Sequence, residues 1–438
     1  METHRLNATQ AVSAIRDGML SAETLMRACL DRIAERDDAV KAWLHVDPAR
    51  AIAAAREQDK RARNGQPCGP LHGLPFGVKD MIDTAVLPTT YNSPIYPDHR
   101  PAKDAACVAT ARASGAVLLG KTDTVEFAAF GRRAATCNPH NLAHTAGGSS
   151  SGSGAAVADF QVPFTFGTQT GGSLIRPASF NGTYALKPSW SSVSTEGAKL
   201  LSTSLDTVGW YGRAVSDLAL VASAFALCAE DLEEALSMHS SLRRVRVGVC
   251  RTPQWGAIEP AGAQAFEAAA QRVRDAGATV VDITLAPVFD QMMAAHDTII
   301  VGEGQSAFRH LQLSHAHLMH PEMARRFAPA NLLPPTALRE AYRHAALGRA
   351  ALDALFDTVD VLLAPAAPGE APRDLQSTGS ATFNSIWTLL HVPCLAVPCT
   401  TGPQGLPVGV QLIGAEREDA KLLRVAAALA PFIDAERQ

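Results

Sequence analysis

The chain is short of the features that mark several functional classes. Its 438 residues are 6% aromatic and 19% charged, with 39 Lys and Arg against 43 Asp and Glu. A net charge of −4 leaves no basic excess to capture a phosphate backbone, so nucleic acid is not expected as a partner. Trp43, Trp190 and Trp210 read as core residues rather than a base-stacking platform. No apolar run approaches the roughly 18 residues of a spanning helix, so no membrane association is expected. The opening Met-Glu-Thr-His-Arg-Leu-Asn lacks the basic-then-apolar pattern of a signal peptide. The eight cysteines include no Cys-x-x-Cys pair, and none stands beside a histidine or a Gly-rich turn. That excludes a redox or thiolate-zinc motif and argues against a cysteine nucleophile. Free thiols in a reducing, cytoplasmic setting are expected. His315 and His317 do not share a helical face, and no glutamate accompanies the 310–320 histidines at zincin spacing, so no metal is expected.

What is present is enough apolar residue, 47%, for a large core. Residues 8–62 read as helices, with a capping box at Asn7 and Gln10 and a cap at Ser21 for a helix from Ala22 to Arg36. Phe76–Lys79 reads as a short strand, Val108–Ala113 as helix and Ala116–Leu119 as a buried strand. Residues 131–154 read as a long polar loop, and Ala155–Ala158 as helix. Val245–Cys250, Ala261–Ala276 and Ala278–Ile283 give a βαβ rhythm, hence a parallel pair. Residues 287–356 read as helical with a break at Pro329–Pro335. Strands are expected at Val359–Ala364, Leu395–Pro398 and Val408–Ile413, and a surface connection at 229–244. The expected fold is α/β: one domain over 1–438, with a large mixed sheet and helices on both faces. It divides into a helical segment (1–65), a core (66–230) and a second half of the sheet with pocket helices (245–438).

Two Gly-Gly-Ser triplets, Gly147–Ser149 and Gly171–Ser173, stand 24 residues apart, and Gly-Leu-Pro-Phe-Gly-Val-Lys ends at Lys79. Two serines and a lysine can pass a proton and so activate a hydroxyl, while bare glycine amides can face an oxyanion. Gly147–Gly154 has the composition of a flexible linker. It is short, however, and runs straight into a helix start, so its glycines read as allowing tight turns and close approach to a ligand. An exposed lysine holds its proton too firmly to act as a base; burial among Phe76, Val78 and Met81 would loosen it.

At these residues the chain resembles the amidase signature family. Gly147–Ala156, Gly167–Ser173 with Pro177, Leu186–Pro188, Gly73–Asp80, Gly120–Thr122 with Glu126 and Phe127, and Gly405–Gly414 match its segments, from about residue 10 to about 430. The resemblance implies an amidohydrolase acting on a linear amide C–N bond without cofactor. Ser173 would be the nucleophile, Ser149 a bridging serine after a cis peptide bond, and Lys79 the general base. Thr170, Gly171 and Gly172 would form the oxyanion hole. Two departures stand out: Gln169 where the family commonly has aspartate, and Ile175 where it has arginine, with Arg176 one position on. This variant resembles the malonamidase-type branch, in which that arginine clamps a substrate carboxylate. Arg176 is therefore read either as a carboxylate clamp or as a structural arginine paired with a nearby carboxylate.

The partner this implies is a small amide, and a homodimer is left open. One alternative is the glutaminase (A) subunit of a tRNA-dependent amidotransferase, against which the shifted arginine counts. Another, of a different class, is a P-loop nucleotide-binding protein, because Gly115–Thr122 fits Walker A spacing. There the spacer residues are themselves strand, which leaves no loop to wrap phosphates, so a βα junction is the better reading. Asp206 reads as a turn aspartate holding backbone rather than a catalytic group.

Overall fold

A computed structural model describes residues 2–228 and 242–434. Its centre is an eleven-stranded mixed sheet. The thirteen strands in chain order are β1 (Trp43–Val46), β2 (Pro75–Lys79), β3 (Val117–Thr122), β4 (Cys137–Asn138), β5 (Asn141–Thr145), β6 (Phe164–Gln169), β7 (Tyr184–Lys187), β8 (Thr207–Gly212), β9 (Arg246–Cys250), β10 (Thr279–Ile283), β11 (Val361–Pro365), β12 (Cys394–Thr401) and β13 (Pro407–Ile413). The sheet runs β1-β3-β2-β6-β8-β7-β12-β13-β11-β9-β10, and β4 and β5 form a separate hairpin. Strands β3, β2 and β6 are mutually parallel, as are β11, β9 and β10; the strands between them are antiparallel.

Every residue of β2, β3, β6, β7, β8, β11 and β13 is buried. Successive side chains on a strand point to opposite faces, so burial at every position means that both faces are covered. Phe76 stacks on Phe164 at 5.5 Å, and Phe166 meets Trp210 edge-on. Helices Ile175–Asn181, Pro260–Asp275 and Asp419–Ile433 pack on the β12–β13 hairpin.

Where chemistry is local, the expected elements form. The Asn7–Gln10 capping box closes helix Ala8–Arg16, and Ser21 caps Ala22–Val40. The βαβ rhythm becomes β9, helix Pro260–Asp275 and β10, with β9 and β10 parallel. Two readings need correction, and a third is largely untested. The N-terminal segment is not all helix: Lys41 turns left-handed at φ 57° and β1 pairs antiparallel with β3 as the sheet edge. The 131–154 loop contains the β4–β5 hairpin, and its last residues already belong to helix Ser151–Ala158. Most of the 229–244 connection lies outside the described residues; Leu242–Arg244 is a 3₁₀ turn.

The Walker-like segment is strand β3 through Thr122, and no α-helix follows it directly. It is therefore not even the expected βα junction. Lys121 is fully buried, 2.9 Å from Asp80 Oδ1 and 2.6 Å from Thr89 Oγ1. It holds a carboxylate inside the protein and has no solvent front to offer a phosphate. Removing one partner of a buried pair strands the other charge and costs about 3–5 kcal/mol. Lys121→Ala should thus lower the unfolding free energy by that amount, whereas ATP should give wild-type protein no thermal shift. Wild-type stability in the variant, or an ATP shift lost with it, would revive the nucleotide reading.

Candidate active site

Two adjacent parallel strands fix the site. Parallel strands deliver their C-terminal ends to the same edge, where ligands gather in open α/β sheets. Strand β2 ends at Lys79; its neighbour β6 ends at Gln169 and runs into the Thr170–Ser173 turn. Lys79 is fully buried. Its Nζ lies 2.7 Å from Ser149 Oγ and 2.7 Å from Thr168 Oγ1. Burial pushes its pKa well below 10.5; Asp206 partly opposes the shift, and Arg176 adds to it.

The Gly/Ser-rich stretch is the reverse of a flexible linker, since Gly147–Gly154 is buried throughout. Ser151 Oγ donates to Gly147 O at 2.7 Å, Ser150 Oγ to Thr168 O at 3.1 Å and Ser153 Oγ to Phe166 O at 2.9 Å. Its serines thereby fasten the start of helix Ser151–Ala158 to β6. The glycines allow that approach: a Cβ on Gly152 would lie 2.1 Å from Ala42 O. The Gly148–Ser149 peptide is cis. The Ser149 carbonyl accepts from Thr124 Oγ1 at 2.9 Å, and the Ser149 hydroxyl faces Lys79.

Ser173 follows the second glycine pair. The amides of Gly171, Gly172 and Ser173 have no protein acceptor among the described residues, and all three residues line one cleft. A Cβ on Gly172 would lie 2.5 Å from Asn384 Oδ1, so the turn packs directly against the segment leading into helix Ser385–Leu389. The Thr170 hydroxyl donates to Asp206 Oδ1, while Asp206 Oδ2 accepts from Leu201 N at 2.7 Å and Ser202 N at 3.2 Å. Asp206 does hold backbone, as its sequence context suggests, and it also supports the turn carrying Ser173. Burial raises its pKa to about 6. Ser149 and Ser173 line the same cleft, yet no hydrogen bond joins their hydroxyls. Of the expected chain, the lysine–serine link is formed and the serine–serine link is open.

The cleft has a volume of 390 Å³. Arg176 lines it, buried, from the first turn of helix Ile175–Asn181. Its Nη2 donates to Gly148 O and to Thr378 Oγ1, its Nε has no partner, and no carboxylate pairs with it among the described residues. Burial lowers its pKa to about 10. Arg133 and Arg326 also line the cleft, against one carboxylate, Asp297.

Several of these groups escape a reading of the sequence. Thr168 lies in a strand like any other threonine. His296 and Thr388, which touch the turn from the other half of the chain, sit in helices with no motif around them. The only local clue is that His296 falls on the apolar stripe of its helix, among Met292, Ala295, Ile299 and Ile300. Among the described residues no group of three or more His, Cys, Asp or Glu is placed to hold a metal, and no helix is long and apolar enough to cross a membrane.

The Amidase family model matches residues 24–423. The A subunit of glutamyl-tRNA(Gln) amidotransferase from Chloroflexus aggregans is 34% identical over 97% of this chain and 96% of its own length. Its counterpart in Mycobacterium bovis is 32% identical over 97% of each chain. Among solved structures, the native peptide amidase of Stenotrophomonas maltophilia superposes with a TM-score of 0.84 at 29% identity, over 98% of this chain and 97% of that one. A vestigial protein complex bearing on the origins of an s-triazine catabolic enzyme gives 0.87 at 29% identity, over 97% of this chain and 98% of that one. Matches along nearly the whole chain, above 30% identity in sequence and with the same large mixed sheet in structure, place this protein in the amidase signature family, as an enzyme acting on amide C–N bonds.

Proposed function

We propose that the protein hydrolyses a small carboxylic amide, releasing a carboxylate and ammonia or an amine through an acyl-enzyme on Ser173. The observation that carries this is a fully buried lysine 2.7 Å from Ser149 Oγ, at the edge of a cleft bearing Ser173 and three amides without protein acceptors among the described residues. Ser173 Oγ attacks the carbonyl carbon. Its proton passes to Ser149, whose own proton passes to neutral Lys79. Amides of the Thr170–Ser173 turn receive the oxyanion. The leaving nitrogen takes the proton back, and water then cleaves the ester by the same relay. Hydroxyl contacts in a free enzyme often tighten only with substrate bound, and the proposal requires that of the Ser149–Ser173 pair. Both halves of the chain feed one sheet, so we read 1–438 as one working unit.

The substrate class follows from Arg176. A buried guanidinium whose Nε has no partner, and with which no carboxylate pairs among the described residues, favours the clamp over the structural ion pair. A small amide bearing a carboxylate should therefore be preferred over its neutral analogue. Bidentate charge-assisted pairing is worth roughly 1.5–3 kcal/mol, or about one to two decades in kcat/KM. Arg176→Leu should erase the preference, and Arg176→Lys should restore part of it, since a point charge cannot reproduce the fork. Because Arg176 also holds Gly148 O, the neutral analogue is the control. Equal losses on both substrates would make Arg176 a support of the Gly148–Ser149 segment only.

A second reading has a specific observation behind it: relatives matching 97% of the chain are amidotransferase A subunits. Purified chain that releases ammonia from a carboxylate-bearing amide unaided supports the amidase. Silence in isolation, with activity gained in a complex, supports the amidotransferase reading.

A further inference from the structure

The turn that carries Ser173 is held from behind. We propose that His296 and Thr388 aim the oxyanion hole, and that Gln169 sets the direction of the Thr388 hydroxyl. This rests on the acyl-enzyme reading above.

In a trans peptide the C=O and N–H point in opposite directions. A donor that captures one carbonyl therefore fixes where the next residue's N–H points. His296 Nε2 lies 2.9 Å from Thr170 O, the carbonyl of the peptide whose N–H belongs to Gly171. A carbonyl only accepts, so Nε2 carries the ring proton. His296 Nδ1 has no hydrogen-bond partner among the described residues, and Asp297 Oδ1 lies 3.7 Å from it. Thr388 Oγ1 lies 2.7 Å from Gly171 O, the carbonyl of the peptide whose N–H belongs to Gly172. Two successive carbonyls are thus drawn back into the protein, and the two N–H groups opposite them are left without protein acceptors among the described residues.

The Thr388 hydroxyl has one proton and two candidate acceptors, Gly171 O at 2.7 Å and Asn384 O at 3.4 Å. Gln169 decides that the hydroxyl must donate. Its Oε1 accepts from Leu174 N at 2.8 Å and Ile175 N at 3.1 Å, which fixes the amide orientation. Its Nε2 therefore donates to Thr388 Oγ1 at 3.0 Å and occupies an oxygen lone pair. The threonine proton is left for Gly171 O. A carboxylate at position 169 would accept from the same two amides but would compete for that proton. His296, Thr388 and Gln169 are all buried, where such bonds gain strength and a lost one is not replaced by water. These are positioning residues: they act through the Gly171 and Gly172 peptides.

The test uses the full chain and its best small amide. In Thr388→Val and His296→Leu, kcat should fall about 10- to 100-fold with KM nearly unchanged, somewhat less than the loss of a whole oxyanion donor. A boronic acid that forms a tetrahedral adduct with Ser173 should lose affinity by the same factor, and the carboxylate product should not. Thr388→Ser and His296→Gln keep a donor near its place and should recover most of kcat. Gln169→Glu should resemble Thr388→Val. If Thr388→Val fails to fold, His296→Leu and Gln169→Glu decide. Unchanged kcat in the folded variants overturns the proposal, as does a parallel loss of product binding and melting temperature, which would mean a collapsed turn. Fluorophosphonate labelling of wild-type Ser173 separates the two levels. Labelling with unaltered variant kcat sinks only this inference, whereas no labelling at Ser173 sinks the acyl-enzyme reading beneath it.

Discussion

Ser173→Ala should abolish turnover and leave the fold intact. The change removes a single oxygen that makes no hydrogen bond within the described protein, so nothing in the packing depends on it. Without it no acyl-enzyme forms, and in serine hydrolases such a loss is on the order of a million-fold. A fluorophosphonate or sulfonyl fluoride should label Ser173 in the wild-type chain and nothing in the variant. Circular dichroism and the melting curve should superpose. Wild-type ammonia release by the variant would end the proposed mechanism, because the neighbouring Ser150, Ser151 and Ser153 are all committed to carbonyls.

Lys79→Ala should cost roughly 10³–10⁴-fold in kcat, the upper range for loss of a general base. Ser149→Ala should cost less, since water can partly bridge the gap. The lysine also sets the pH profile. Only its neutral form accepts a proton, and burial lowers its pKa, so that form persists to lower pH than in an exposed lysine and is lost as pH falls through the lowered value. The profile of kcat/KM should therefore have an acid limb. Asp206 favours the charged lysine, so Asp206→Asn should move the limb to lower pH. Arg176 opposes the charge, so Arg176→Leu should move it to higher pH. Limbs that stay put in both variants would mean that Lys79 is not the titrating group.

Much of this is legible in the chain, for reasons that separate cleanly. Lys79, Ser149 and Ser173 lie beside glycines whose placement only a close approach of backbone explains, so short motifs expose them. The relation between Lys79 and the Ser173 turn follows from two parallel strands and needs no knowledge of the rest of the sheet. Strands β7 and β8 read only as motif and turn, because Tyr184–Lys187 and Thr207–Gly212 are short and buried on both faces, which erases alternation. Strand β1 is lost between two helices for the same reason of length. His296 and Thr388 are more than 120 and 210 residues from the carbonyls they hold. A contact across that separation leaves no trace in local spacing. Gln169 is legible as a departure from the family pattern, but its meaning is not, because that depends on Thr388.

The cleft has a divided parentage. Lys79, Ser149 and Ser173 all lie before residue 174, whereas His296, Asp297, Arg326, Thr378 and Ser385 reach the same cavity from after residue 290. Much of the pocket wall is thus written on a different stretch of chain from the reacting residues, with Arg176 staying beside Ser173, and a chimera could exchange that wall while leaving the reacting residues untouched. Such a graft carries a hidden condition. The incoming segment must bring a donor to each of the two carbonyls behind the Ser173 turn, or the recipient will bind its new substrate and turn it over slowly.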